Sequence, residues 1–210
     1  MPKALDNLLN AHAAWLLTAL CMALYAAFAP EALWLPASAT ELASEPWRLL
    51  TALFAHGNAL HLVGNLLALL VVGAVAQGRV GTWMTLVVFL ASGLAGNLAF
   101  ALTAIVADSP SSLTGCSAAV LGLLAFLAGK RHPLALLVVG AVLATGVFGP
   151  NPGGAMAHLA GIAAGYGCLK LSPRGAQTAP EANPAIEKAA RSGYASLTEA
   201  ERRSLYTPSK

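Results

Sequence analysis

Six apolar runs separated by more polar connections, the first of them long, organise this chain: about Ala13–Ala29, Ala59–Gln77, Thr82–Val106, Ser117–Gly129, Pro133–Phe148 and Ala155–Leu171. A helix needs roughly 20 apolar residues to cross a bilayer. The pattern therefore predicts an all-α, polytopic membrane protein with six transmembrane helices. The first run ends in Pro30 and is followed by further spans, so it reads as a retained helix rather than a cleaved signal peptide. The fourth run is the short one. At about 1.5 Å per residue it covers roughly 20 Å of a hydrocarbon core about 30 Å thick, which places the residue that opens it, Ser117, below the membrane surface. The expected organisation is a short N-terminus over 1–12, a membrane domain over 13–171 and a tail over 172–210.

Composition agrees with the pattern. Of 210 residues, 57% are hydrophobic and only 10% charged, with a mean hydropathy of +0.68, values that belong to multispanning membrane proteins and exclude an ordinary soluble domain. The net charge of +3 matters less than its placement. Lys3, Arg79, Lys130, Arg131, Lys170 and Arg174 fall on one side of the six spans. Glu31, Glu41, Glu45 and Asp108 fall on the other, where Arg48 is the only basic residue and the Gly149–Gly154 connection carries no charge. The positive-inside rule then makes both termini cytoplasmic. This basic balance is a topology signal, with no patch suited to nucleic acid.

Other segments carry less. Cys21, Cys116 and Cys168 are too widely spaced for a disulfide framework or a zinc site and read as small apolar fillers. No metal or other cofactor is expected. The long connection from Pro30 to Asn58 holds Trp34, Trp47 and Arg48, which suit a segment lying in the membrane interface. The tail is rich in Pro, Ala, Ser, Glu and Arg, the composition of a mostly disordered cytoplasmic segment; within it, Thr198 to Glu201 has the Thr-x-x-Glu pattern that caps a short helix.

Polar residues inside apolar runs are expensive and usually functional, and here they gather at one depth. His56, His61 and Asn65 occur as His-x4-His-x3-Asn at the start of the second span, with His61 and Asn65 one turn apart on one helix face. Ser117 opens the fourth span from the same side, and His158 lies about one turn into the sixth. Peptide hydrolysis by a serine needs a base for the hydroxyl proton and donors for the oxyanion. His158 can serve as the base. His61, Asn65 and the unpaired amides of the fourth span's first turn can serve as the donors. None of the nine acidic residues lies within a span, so such a hydrolase works as a Ser-His dyad. Ala118 and Gly122 on the fourth span, with Gly161 and Gly165 on the sixth, form two small-x3-small pairs of the kind that lets membrane helices pack backbone to backbone, an approach that would bring Ser117 near His158.

Each of these residues also has a bland explanation. A membrane-helix serine usually bonds the carbonyl four residues back, a lone histidine packs or handles protons, and an asparagine glues helices together. Their shared depth, their order and the missing carboxylate are what favour catalysis. A metalloprotease would want His-Glu-x2-His, which is absent, and a transporter would show interrupted helices with midplane charges, where these spans carry essentially none.

Trp47-Arg48, His56-x4-His61-x3-Asn65, Gly115-x-Ser117 and Ala157-His158-x2-Gly161-x3-Gly165, in this order over about Pro46 to Leu171, resemble the rhomboid intramembrane serine proteases. The resemblance implies a six-helix rhomboid-like core with a water-accessible cavity on the extracytoplasmic side, Ser117 as nucleophile and His158 as general base and acid. It further implies an oxyanion hole from His61, Asn65 and the Ser117 amide, with His56, Trp47, Arg48, Gly115, Gly161 and Gly165 lining or supporting the cavity. Ala118 departs from the glycine found in many members, and alanine is small enough to leave activity intact. The implied partners are transmembrane protein substrates in a lipid bilayer, cut near the extracytoplasmic face, and the implied location is a bacterial inner (plasma) membrane. A catalytically silent relative that binds transmembrane helices as a chaperone or adaptor is the alternative; it would be marked by loss of the serine or the histidine, and both are present. The uncharged Gly149–Gly154 connection is expected to cap the cavity as a mobile lid.

Overall fold

The computed structural model describes residues 8–107, 111–129, 152–171 and 184–205. It divides into two units, 1–172 and 173–210. In the first, helix α1 (His12–Ala27) leads through a 3-10 turn (Pro30–Ala32) to the two-residue strand β1 (Leu35–Pro36), then to the short helices α2 (Ala39–Ser44) and α3 (Arg48–Thr51). The 48-residue α4 (Ala59–Val106) follows, then strand β2 (Ser112–Leu113), α5 (Ser117–Ala128) and α6 (Pro152–Leu171). The strands pair antiparallel, Leu35 opposite Leu113 and Pro36 opposite Ser112.

Two boundaries differ from those the apolar runs predict. The second and third runs form one helical stretch, broken only at Gly81, whose φ of 78° and ψ of 171° turn the chain between two arms. Glycine reaches a positive φ without steric penalty, so a single residue does the work of a loop. The sixth helix begins at Pro152 rather than near Ala155, because proline has no amide hydrogen to leave unpaired and its φ is already helical. Pro152, Gly153 and Gly154 thus belong to the first turn of α6 and not to a lid; residues 149–151 lie outside the described residues, as does the predicted fifth span over 133–148.

Among the described residues, α4 is the one helix long and apolar enough to cross a membrane by length and composition, with α1 and α5 as shorter apolar helices. What faces outward is oily: Leu60, Leu67, Val71, Trp83 and Val106 are all exposed. What faces inward includes the polar Thr85, Ser92 and Asn97, all essentially buried. Such a surface suits lipid, whereas in water it would be an association liability.

The interior is built on small residues. A methyl at Gly161 would overlap the carbonyl of Ala118, and one at Gly165 the carbonyl of Gly122. On the far arm of α4, a methyl at Gly96 would come within 2.6 Å of the Ala118 methyl and 2.8 Å of the Ala157 carbonyl. Three backbones therefore meet around Ala118, and the larger side chains fill the space toward α1, where Leu53, Phe54, Leu69, Phe89 and Leu123 form the main cluster. α1 is held at its start by Gln77, whose side-chain oxygen accepts from the Ala13 amide at 2.8 Å while its Nε2 donates to the Asn10 carbonyl at 2.5 Å. This satisfies an otherwise unpaired first-turn amide.

The second unit, taken by itself, contains α7 (Pro184–Ser192), a 3-10 turn (Tyr194–Ser196) and α8 (Glu199–Ser204). Composition alone leads to the expectation of a mostly disordered tail, yet residues 184–205 are helical over most of their length. Their order has local causes. Thr198 and Glu201 form a reciprocal capping box, and Lys188 donates to both Glu201 carboxylate oxygens at 2.9 and 3.0 Å.

Gly165→Ala is expected to lower stability by about 1–3 kcal/mol, because a backbone carbonyl cannot step aside as a side chain can. Gly167→Ala, whose methyl would meet nothing within 4 Å, is expected to be neutral or slightly stabilising, since alanine is the better helix former. Thermal unfolding of both variants in detergent checks this; equal midpoints would refute the close approach of α5 and α6.

Candidate active site

Three helices present their N-terminal turns to one place. α4 opens with Asn58 as its cap, the side chain accepting from the His61 amide at 2.8 Å, which leaves His61 and Asn65 on its first two turns. α5 opens at Ser117 without a side-chain cap, so the Ser117 amide is among the first-turn donors that have no partner within the helix. α6 has run nearly two turns when it reaches His158. The N-terminal turns of α4 and α5 thus border the site, an environment that favours developing negative charge.

Ser117 Oγ and His158 Nε2 lie 2.9 Å apart. With the ring proton on Nδ1, the hydroxyl donates to Nε2, the arrangement a general base needs. His158 Nδ1 is buried with no hydrogen-bond partner among the described residues. No carboxylate orients this histidine there; Glu45, from the connection before α3, instead forms an ion pair with Arg48.

The loop leading into α5 brings the second set of groups in. Gly115 has a φ of 105°, and a methyl on it would lie 2.8 Å from His61 Cε1, 2.9 Å from His61 Nε2 and 3.2 Å from Asn65 Nδ2. The tips of His61 and Asn65 therefore rest against the backbone two residues ahead of the serine. Asn65 Nδ2 donates to the His61 carbonyl at 3.1 Å; an amide nitrogen carries two hydrogens, so one remains for another acceptor. The Gly115 amide in turn donates to the Ala52 carbonyl at 2.9 Å, which fastens the loop to the turn after α3. His56 is 1% exposed, with its ring 5.3 Å from that of His61.

Ser117, His158, His61, Asn65, Gly115 and His56 are thus brought together, and Gly161 and Gly165 sit where α6 meets α5. The Trp47 side chain is 55% exposed. Arg48 Nη1 donates to the Glu31 and Trp34 carbonyls at 2.9 and 3.2 Å, so it clamps the connection before β1. Sequence reasoning missed Gly96, Ser92 and Ala52. The first two continue the small-residue face onto a third helix, a spacing visible as Ser92-x3-Gly96; Ala52 acts through its carbonyl, which no side-chain pattern reveals.

A family model described as the rhomboid domain matches residues 43–172, more than half of the 210-residue chain. No curated protein matches the chain. Helix α1 and the 3-10 turn that follows it precede the matched residues, as does β1.

Gly115→Ala is expected to destabilise the fold by about 1–3 kcal/mol through its left-handed backbone alone and to push His61 and Asn65 off the loop. Gly57→Ala, whose methyl would meet only Thr114 Oγ1 at 3.7 Å, serves as the comparison. Thermal unfolding, with the histidine side-chain resonances recorded alongside, checks this; unmoved resonances in Gly115→Ala would separate the loop from His61.

Proposed function

This chain belongs to the rhomboid family and is an integral membrane protein, and from that footing we propose that it is an intramembrane serine endopeptidase using Ser117 and His158 as a dyad. The observation that carries the reading is the 2.9 Å contact between the Ser117 hydroxyl and His158 Nε2, made across 41 residues of chain. Ser117 Oγ attacks the scissile carbonyl as Nε2 takes its proton. The tetrahedral oxyanion is held by the Ser117 amide with the side chains of His61 and Asn65. His158 returns the proton to the leaving amine, and a water repeats the sequence on the acyl-enzyme.

The full architecture is a six-helix bundle over 13–171 with cytoplasmic termini in a bacterial inner membrane, supported by the charge asymmetry of the connections. Its substrates are transmembrane segments of other proteins, cut near the extracytoplasmic face. A helical peptide bond is shielded by its own hydrogen bonds and side chains, so the preferred segments carry small or helix-breaking residues there. The alternative, a silent helix-binding relative, has no use for a serine and a histidine held at hydrogen-bond distance.

Ser117→Ala and His158→Ala are each expected to abolish cleavage of a model transmembrane substrate while the protein still inserts and folds, and the double variant is expected to lose little more because the two act as a unit. Cys116→Ala should stay active. Cleavage assays in liposomes, with labelling by a serine-directed phosphonate, check this, and robust cleavage by purified Ser117→Ala would end the serine-protease reading.

For the oxyanion donors, His61→Ala and Asn65→Ala should each lower turnover on the order of a hundredfold, with smaller changes in KM and some residual rate. Unchanged kcat in the double variant would remove both from the mechanism.

A further inference from the structure

His56 is a buried histidine beside the site that the mechanism above does not use. Its ring is 1% exposed, and its Nδ1 lies 3.2 Å from the Phe54 carbonyl oxygen. A carbonyl only accepts, so Nδ1 carries the proton and Nε2 is left with a lone pair. That Nε2 is buried and has no partner among the described residues. An imidazole anchored through Nδ1–H, with only a lone pair at Nε2, has no N–H left to offer an oxyanion.

Its packing points to a different use. The His56 and His61 rings meet edge to face, with centroids 5.3 Å apart and planes at 63°, the geometry aromatic pairs prefer. The His61 ring also meets Gly115, its Cε1 and Nε2 within 2.9 Å of where a methyl on that glycine would be. The His61 backbone is fixed by the Asn58 cap, but a cap does not set a side-chain rotamer. The ring touches both His56 and the Gly115 loop, and of these two His56 comes from outside the segment that carries the serine.

We propose that His56 is a positioning residue: its anchored ring forms the wall that holds the His61 imidazole against Gly115, next to Ser117. This rests on the reading of His61 as an oxyanion donor. It explains why His56 precedes the helix rather than riding on it. The turns after α3 end at Phe54, and the non-helical residues that follow let the Phe54 carbonyl meet Nδ1 two residues later.

The test is a double-mutant cycle on the full-length protein in liposomes, reading kcat and KM separately on a cleaved transmembrane substrate. His56→Ala is expected to lower kcat about ten- to a hundredfold, the scale that a misplacement of about 1 Å produces, with KM changed less than threefold. In a His61→Ala background the same substitution should cost less than about threefold, because the wall then has nothing to hold. His56→Phe keeps the wall without the lone pair and should retain kcat within about threefold of wild type. An equal loss from His56→Ala in both backgrounds, or a His56→Phe variant that folds and is as impaired as His56→Ala, would overturn the proposal. Should His56→Ala fail to fold, the His56→Phe comparison decides alone. Wild-type protein that neither cleaves nor takes up the phosphonate would instead overturn the protease reading, which separates the two failures.

Discussion

The near-contact of the α5 and α6 backbones is the constraint on which the site depends. Ala118 and Gly122 lie against Gly161 and Gly165 so closely that a methyl on either α6 glycine would strike a carbonyl of α5. In lipid there is little hydrophobic drive between helices, and association rests on van der Waals packing that small residues make possible. Ser117 and His158 stand immediately before Ala118 and three residues before Gly161, so the same approach that packs the helices sets the distance between hydroxyl and imidazole. Gly96 extends the contact to the far arm of α4, joined at Gly81 to the arm that bears His61 and Asn65.

From that crossing, the local chemistry follows from helix ends. A serine at the first position of an uncapped helix comes with an unpaired amide at its own backbone, so under the proposed mechanism nucleophile and oxyanion donor share one residue. The loop before it must pass tightly under His61 and Asn65, and only a glycine with φ of 105° does so. Its amide bond to Ala52 and the Arg48 clamp on the Glu31 and Trp34 carbonyls transfer the rigidity of the first connection to the site. These bonds lie outside the Ser117–His158 pair, yet they fix the loop against which His61 and Asn65 rest, and the proposed oxyanion hole needs such fixed positions to lower a barrier without reorganising.

The distribution of polarity serves the same end. Large apolar side chains cover the exterior of α4, while Ser92, Asn97 and Thr85 are buried. Asn97 donates to the Leu49 carbonyl at 2.7 Å and so ties α4 to the connection carrying Arg48. A buried amide of this kind is costly unless paired, and here the pairing of its Nδ2 links two parts of the fold.

Several helices and the residues with chemistry to offer were legible in the sequence, because hydrophobicity, caps and glycine spacing act over a few residues. The shared face of His61 and Asn65 and the small-x3-small pairs on either side of the crossing are local properties and could be read directly. The Thr198–Glu201 cap was equally legible, although composition averaged over the whole tail concealed the folded segment around it. Only the tertiary structure decided what lies between distant segments. Pro152 starts a helix where composition suggested a loop, and Gly81 turns the chain without one. Gln77 caps a helix 64 residues earlier in the chain. Arg48 reaches backbone carbonyls while Trp47 is exposed, although the two are adjacent in sequence. Such outcomes depend on which groups arrive opposite each other once helices cross, and a carbonyl or a ring wall contributed by a remote segment leaves no mark in the local pattern.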